Sequence, residues 1–156
     1  KTSLAVKLAY QIKNQFEYFI WRSLRHQPSV HSILTDLLQF FAGQEALVIP
    51  DNTNAAITLL LQQLREHRCL IVLDGAEMLL KIGIRGGRYL DGYEEYGELF
   101  DRVGLEVHKS CLVVTSREKP KEFTAQEGEA LPVRSLELTG LDQTAAKAIL
   151  RDKGLV

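Results

Sequence analysis

The segment Cys69-Leu70-Ile71-Val72-Leu73-Asp74 is the most informative stretch of the sequence for the fold. Its first five residues are apolar, without the polar alternation of a strand that has one face in water. A continuous apolar run of this length is typical of a parallel strand that helices cover on both faces. The run stops at an acidic residue. The segment therefore predicts a central strand of an α/β fold, with Asp74 at its carboxyl end.

The sequence around this strand alternates between helical and strand-like patterns. Apolar residues recur at helical spacing over Thr2 to Ile12, Val30 to Phe41, Ile57 to Leu64 and Tyr93 to Val107, and Gly140-Leu141-Asp142 opens a last helix. Short apolar runs near Phe19, Leu112 and Leu136 predict three further strands, and the polar stretch from Lys119 to Leu131 predicts a loop or a short irregular helix. This alternation predicts an α/β layer architecture with a mainly parallel sheet.

Composition narrows the class of protein. The 156 residues, of which 25% are charged, suit one globular domain. With 19 Lys and Arg against 20 Asp and Glu, the formal charge of −1 gives no overall attraction to nucleic acid or to an anionic membrane. The sequence has no run of about 18 apolar residues and does not open with a basic segment followed by an apolar signal stretch, so we expect a cytoplasmic protein. Cys69 and Cys111 both open apolar runs, which predicts two buried thiols.

Polar residues follow the predicted strands at the edge where parallel sheets bind ligands. Asp74 ends one strand, and Thr115-Ser116-Arg117 ends the next one along the chain. The first helix opens with Lys1-Thr2-Ser3, and a Lys-Thr pair at a helix start suits a phosphate, because the free amides, the helix dipole and the ammonium group all attract an anion. Each feature alone is more typical of a helix cap or an exposed cation, but their joint order favours a phosphate site.

These residues together resemble the NB-ARC class of STAND P-loop NTPases, and in particular its cyanobacterial members. The resemblance to the class lies in Lys1-Thr2, Phe16 with Ile20-Trp21, Leu70-Ile71-Val72-Leu73-Asp74, Val113-Val114-Thr115-Ser116-Arg117, Leu136-Glu137-Leu138 and Gly140-Leu141. The likeness to the cyanobacterial members lies in Trp21-Arg22-Ser23-Leu24-Arg25, Arg88-Tyr89, Gly92-Tyr93-Glu94 and Ser116-Arg117-Glu118-Lys119-Pro120. It implies that Lys1, Thr2 and Ser3 bind the nucleotide, that Thr2 and Asp74 hold Mg²⁺, and that Arg117 reads the terminal phosphate. ATP, ADP and Mg²⁺ are the implied ligands.

The resemblance also implies a domain organisation. Residues 1–156 would form part of a nucleotide-binding domain of the three-layer P-loop NTPase type, truncated at the phosphate-binding loop, with a helical subdomain beginning near 140–156. The first, central strand of such a sheet would be absent. We expect it to lie between the Asp74 strand and the Arg117 strand, so that the four readable strands form two pairs flanking a gap.

The implied function is a molecular switch that rests with ADP and exchanges it for ATP to assemble with further copies. A downstream repeat domain such as WD40 would sense the signal. Many relatives carry a second acidic residue directly after the strand, where Gly75 stands in this sequence. We therefore expect a weak ATPase, with Glu77 as the nearest substitute carboxylate unless it merely begins a helical turn. The alternatives are an inert NTPase-fold scaffold for protein interactions and an AAA+ motor, which would need the missing acid.

Overall fold

A computed structural model describes residues 1–43, 47–83, 86–140 and 142–154. Within these ranges the chain forms six α-helices, three strands and two short 3-10 turns. In chain order these are α1 (Thr2–Ile12), a 3-10 turn (Lys13–Gln15), β1 (Tyr18–Ser23), α2 (Val30–Ala42), α3 (Thr53–Glu66), β2 (Cys69–Asp74), a 3-10 turn (Ala76–Leu79), α4 (Glu95–Leu105), β3 (Cys111–Thr115), α5 (Lys121–Gln126) and α6 (Gln143–Asp152). The predicted α/β class is confirmed.

The three strands form one parallel sheet in the order β1-β2-β3. The Asp74 strand is therefore the middle one, and all six of its residues are buried. Asp74 stands in register with Ser23 on one side and with Thr115 on the other. The three carboxyl ends consequently lie side by side at one edge of the sheet.

The predicted gap between the Asp74 strand and the Arg117 strand is wrong. β2 and β3 are hydrogen-bonded neighbours from Leu70 with Cys111 to Asp74 with Thr115. The expectation came from the family resemblance, whereas the chain follows the general tendency of successive strands to lie beside each other. Between β2 and β3 the chain forms the 3-10 turn Ala76–Leu79 and the helix α4.

The predicted strand near Leu136 is also wrong. Residues 133–138 form no strand, and the contact of Val133 with Glu127 is an isolated bridge. Leu136 is 78% exposed. A strand-like sequence becomes a strand only where a neighbouring edge accepts its hydrogen bonds, and no described strand lies beside this segment.

Both faces of the sheet are covered, which explains the continuous apolar run of β2. Cys69, Ile71 and Leu73 belong to the main core, which the sheet forms with helices α2, α3 and α4. Leu70 and Val72 point to the opposite face, where they pack with Ala9 of α1. The strand therefore separates two apolar layers, as its lack of alternation predicts.

Two of the predicted helix starts have side-chain caps in the structure. Asn52, one of three candidate caps, accepts a hydrogen bond from the Ala55 amide and begins α3, and Asp142 caps α6 in the same way. Leu141, in the predicted opening of this last helix, lies outside the described residues.

Cys69 is buried, and burial raises the pKa of its thiol. Cys111 is exposed, contrary to the prediction, because β3 is an edge strand.

Among the described helices, none is both long enough and apolar enough to cross a bilayer.

We expect the substitution Tyr96→Phe to lower the free energy of unfolding by about 1–2 kcal/mol. The phenol of this fully buried residue donates a hydrogen bond of 2.9 Å to the carbonyl oxygen of Pro28, and burial raises its pKa, which keeps the donor protonated. Without it, the carbonyl loses its partner. Denaturant titration checks the loss against Tyr10→Phe, a control at a side chain that is 72% exposed. Equal stability of both variants would contradict the prediction.

Candidate functional site

The polar residues singled out in the sequence meet at the carboxyl edge of the sheet. Asp74 ends β2, Thr115 ends β3, and the first turn of α1 brings Thr2 to the same place. Open α/β sheets bind their ligands outside this edge. The contacts of Asp74 therefore define the candidate site.

The Asp74 carboxylate is held by groups from three separate parts of the chain. Its Oδ1 accepts hydrogen bonds from the hydroxyl of Thr2 at 2.8 Å and from the hydroxyl of Thr115 at 2.6 Å. Its Oδ2 lies 3.7 Å from Nη2 of Arg25. Asp74 is only 3% exposed, and a buried carboxylate is costly unless such partners compensate for the lost water. The hydroxyls and the guanidinium supply that compensation.

Thr115 couples the carboxylate to the backbone of the next residue. Its hydroxyl donates to Asp74 and accepts a hydrogen bond of 3.0 Å from the Gly75 amide, which also bonds the Thr115 carbonyl at 3.1 Å. Gly75 has φ of 92°, in the left-handed region that favours glycine. The sequence suggests only that an acid is missing at this position, whereas the structure gives a reason for a glycine.

The three residues predicted at the start of α1 differ in their surroundings. Thr2 contacts Asp74, although the two lie 72 residues apart in the sequence. Lys1 and Ser3 are exposed, and within the described residues neither side chain makes a hydrogen bond or an ion pair. Lys1 is also the N-cap of α1, with no side-chain cap. The first amides of this helix are therefore open to an anion.

Arg117 and Glu77 contact each other rather than Asp74. Nε of Arg117 lies 3.4 Å from Oε1 of Glu77, and the Arg117 side chain is 81% exposed. Glu77 belongs to the 3-10 turn that follows Gly75, so it does begin a helical turn. Its Oε2 is buried and has no hydrogen-bond partner among the described residues. One carboxylate oxygen thus meets the guanidinium, and the other is buried.

Two residues of the site were not predicted as such from the sequence. Thr115 and Arg25 appear there only within longer motifs, and neither carries a predicted role. The signal for both is the sheet register: Thr115 stands opposite Asp74, and Arg25 follows two residues after Ser23, its partner on the other side. The sequence alone does not predict that register, because the paired strands are far apart in the chain.

The oxygen atoms at the edge suit a hard divalent cation. Mg²⁺ binds oxygen ligands at 2.0–2.1 Å in an octahedron, so neighbouring ligands lie about 2.9 Å apart. Thr2 Oγ1 and Asp74 Oδ1 are 2.8 Å apart. The pair therefore fits two adjacent positions of an Mg²⁺ ion. Among the described residues no cluster of three or more His, Cys, Asp or Glu side chains could enclose a metal on its own. Mg²⁺ commonly keeps several water ligands and takes phosphate oxygens beside one or two protein ligands.

The chain is similar in sequence to a protein named for its WD repeats. The chain is 46% identical over 162 aligned residues to an uncharacterized WD repeat-containing protein of Nostoc sp.. The alignment covers 99% of this chain and 13% of that protein, so the chain spans a small part of its relative. No family model matches the sequence. The fold itself is an α/β arrangement with a three-stranded parallel sheet, compatible with a Rossmann-like fold.

We expect Gly75→Ala to destabilise the protein by about 1–2 kcal/mol, because the Cβ of an alanine is sterically unfavourable in the left-handed region. Gly140→Ala is the matched control: its backbone is outside that region and a Cβ there meets open space. Thermal or denaturant unfolding of the two variants checks the difference. If both variants unfold like the wild type, the backbone constraint at Gly75 is absent.

Proposed function

We propose that the chain is the nucleotide-binding part of a signalling switch of the NB-ARC class, which binds ATP and ADP with Mg²⁺. The contact between the Thr2 hydroxyl and the Asp74 carboxylate carries the proposal. It joins the start of a helix to the end of a buried parallel strand. Phosphate-loop NTPases hold Mg²⁺ with a hydroxyl and an acidic residue at these two places.

The start of α1 supports phosphate binding beside that contact. Its first amides have no side-chain cap, and Lys1 is exposed next to them. Amides at a helix start, the helix dipole and an ammonium group together favour a phosphate. Bound Mg²⁺ would neutralise phosphate charge and polarise the bond to the terminal phosphate. Thr2 and Asp74 would orient the ion, and Ser3 lies close enough along the chain to join the phosphate site.

Slow hydrolysis follows from the environment of the two candidate reactive residues. Gly75 offers no carboxylate, and a second acid at this position would have to adopt the strained left-handed backbone. Glu77 is the nearest carboxylate, but one of its oxygens faces Arg117 and the other is buried. Glu77 could orient a water molecule only if Arg117 moved away from the Glu77 carboxylate and contacted the terminal phosphate instead. The switch would then hydrolyse ATP slowly and use hydrolysis to reset.

A scaffold without turnover is the second candidate. The Glu77–Arg117 contact favours the scaffold, because Glu77 is the only acidic side chain of the 3-10 turn Ala76–Leu79 and this contact engages it. A phosphate-release assay on the intact protein separates the two: no turnover above the Glu77→Gln variant, together with tight ADP binding, indicates a binding module. Turnover that falls in Glu77→Gln indicates an ATPase.

The relative supports a repeat domain elsewhere in the intact protein. That relative contains WD repeats, and the chain aligns with a small part of it. We propose that such repeats sense the signal and that ATP binding drives self-association, without nucleic acid or membrane as a partner. A cytoplasmic location stays a prediction.

We expect Thr2→Val and Lys1→Ala to weaken Mg²⁺-nucleotide binding by roughly 10- to 100-fold, because each removes a contact to a charged group. Isothermal calorimetry on the intact protein, with ADP and ATP, measures the loss. Thr144→Val is the control, since this exposed hydroxyl also lies in the first turn of a helix. Unchanged affinities in both site variants would overturn the proposed function.

We expect Arg117→Ala to weaken ATP binding at least about tenfold more than ADP binding, because a guanidinium can make a bidentate contact to the terminal phosphate that ADP lacks. Arg68→Ala serves as the control, because Arg68 precedes β2 at the opposite edge of the sheet, where it covers Phe16. Equal losses for the two nucleotides would show that Arg117 does not distinguish them.

A further inference from the structure

We infer that Arg25 is a second phosphate-binding cation of this site, which reaches the terminal phosphate of a bound nucleotide from the side opposite Arg117. The inference rests on the proposed function, and it assigns a role to a residue for which the sequence predicts none.

The sheet register places the two arginines on either side of Asp74. Ser23 and Thr115 are its register partners in β1 and β3, and each arginine follows its strand's partner by two residues. Arg25 and Arg117 therefore leave the same edge of the sheet on the two sides of the central carboxylate. A ligand seated over Asp74 would lie between them.

The backbone that carries Arg25 is firmly anchored. The amide of Leu24 donates to the Asp74 carbonyl at 2.8 Å, and the Leu24 side chain is completely buried. Gln27 has φ of 50°, a value that residues other than glycine rarely adopt. The Tyr93 hydroxyl donates to the Gln27 carbonyl at 2.9 Å, and Nε2 of Gln27 donates to the Met78 carbonyl at 2.8 Å. Such strain persists where the surroundings enforce it, often at functional sites.

The Arg25 side chain, by contrast, makes no hydrogen bond within the described residues, although its charge lies near Asp74. It is 63% exposed, and its closest approach to Asp74 is 3.7 Å, longer than a hydrogen bond. Arg22 in the preceding strand shows the structural alternative: its guanidinium is mostly buried and bonds directly to Asp36. Arg22 thus links β1 to α2, whereas Arg25 stays beyond hydrogen-bond distance of Asp74 with most of its side chain in solvent.

Electrostatics gives the direction in which Arg25 moves when the site fills. Asp74 Oδ1 already accepts two hydroxyls, and Oδ2 is the oxygen that faces Arg25. A divalent cation at this carboxylate repels the guanidinium, and the phosphate oxygens beside the cation attract it. Its planar fork then suits a bidentate contact to a terminal phosphate.

The test measures ATP and ADP affinities of the intact protein with Mg²⁺ by calorimetry. We expect Arg25→Ala to weaken ATP binding roughly 10- to 100-fold and ADP binding less than about threefold, since ADP lacks the contacted phosphate. Arg25→Lys should restore part of the ATP affinity, because it keeps the charge and loses the fork. Arg68→Ala, at the opposite edge of the sheet, should change neither.

The outcomes separate this inference from the proposed function. Wild-type protein that binds neither nucleotide overturns both. Nucleotide binding that Thr2→Val weakens while Arg25→Ala leaves ATP unchanged, or tightens it, overturns only the role of Arg25. Equal losses for ATP and ADP, with a lower melting temperature of the ligand-free variant, show a structural partner of Asp74 and also overturn it. Arg25→Gln, which keeps much of the stem without the charge, replaces Arg25→Ala if the latter fails to fold, with the same expected losses.

Discussion

The buried carboxylate of Asp74 is the constraint on which the arrangement of this edge depends. A charge that is 3% exposed needs partners, and the chain supplies a hydroxyl from α1, a hydroxyl from β3 and a guanidinium from the segment after β1. These partners come from regions far apart in the sequence. The same contacts that compensate the charge therefore bring the candidate site together.

The sheet makes that arrangement possible because helices cover both of its faces. Helices α2, α3 and α4 pack on one face, and α1 packs on the other through Ala9. The position of α1 has a second consequence, since the packing that buries Ala9 also sets its first turn beside the end of β2. Core packing and site geometry thus share one helix, and a change in how α1 lies on the sheet would move Thr2 away from Asp74.

The cations at the edge differ in their attachment, and this difference gives the site its chemical character. Arg117 faces Glu77, Arg25 faces Asp74 at a longer distance than a hydrogen bond, and Lys1 is exposed. The Arg117 and Arg25 side chains are 81% and 63% exposed, so solvent weakens their contacts with the carboxylates. Largely exposed positive groups at the edge that holds Asp74 suit an anionic ligand that arrives with a divalent cation.

The sequence by itself determined the class of fold and most of the elements, because apolar periodicity reports which faces are buried. α1 and β2 lie where the pattern predicts them, and Thr2, Asp74 and Arg117 are candidates from the sequence alone. Strand order, the absence of a strand at Leu136, the exposure of Cys111 and the position of Arg25 were decided by the tertiary structure. Each depends on which strands pair and in what register. Strand pairing joins residues that are distant in the chain, so local sequence patterns do not specify it.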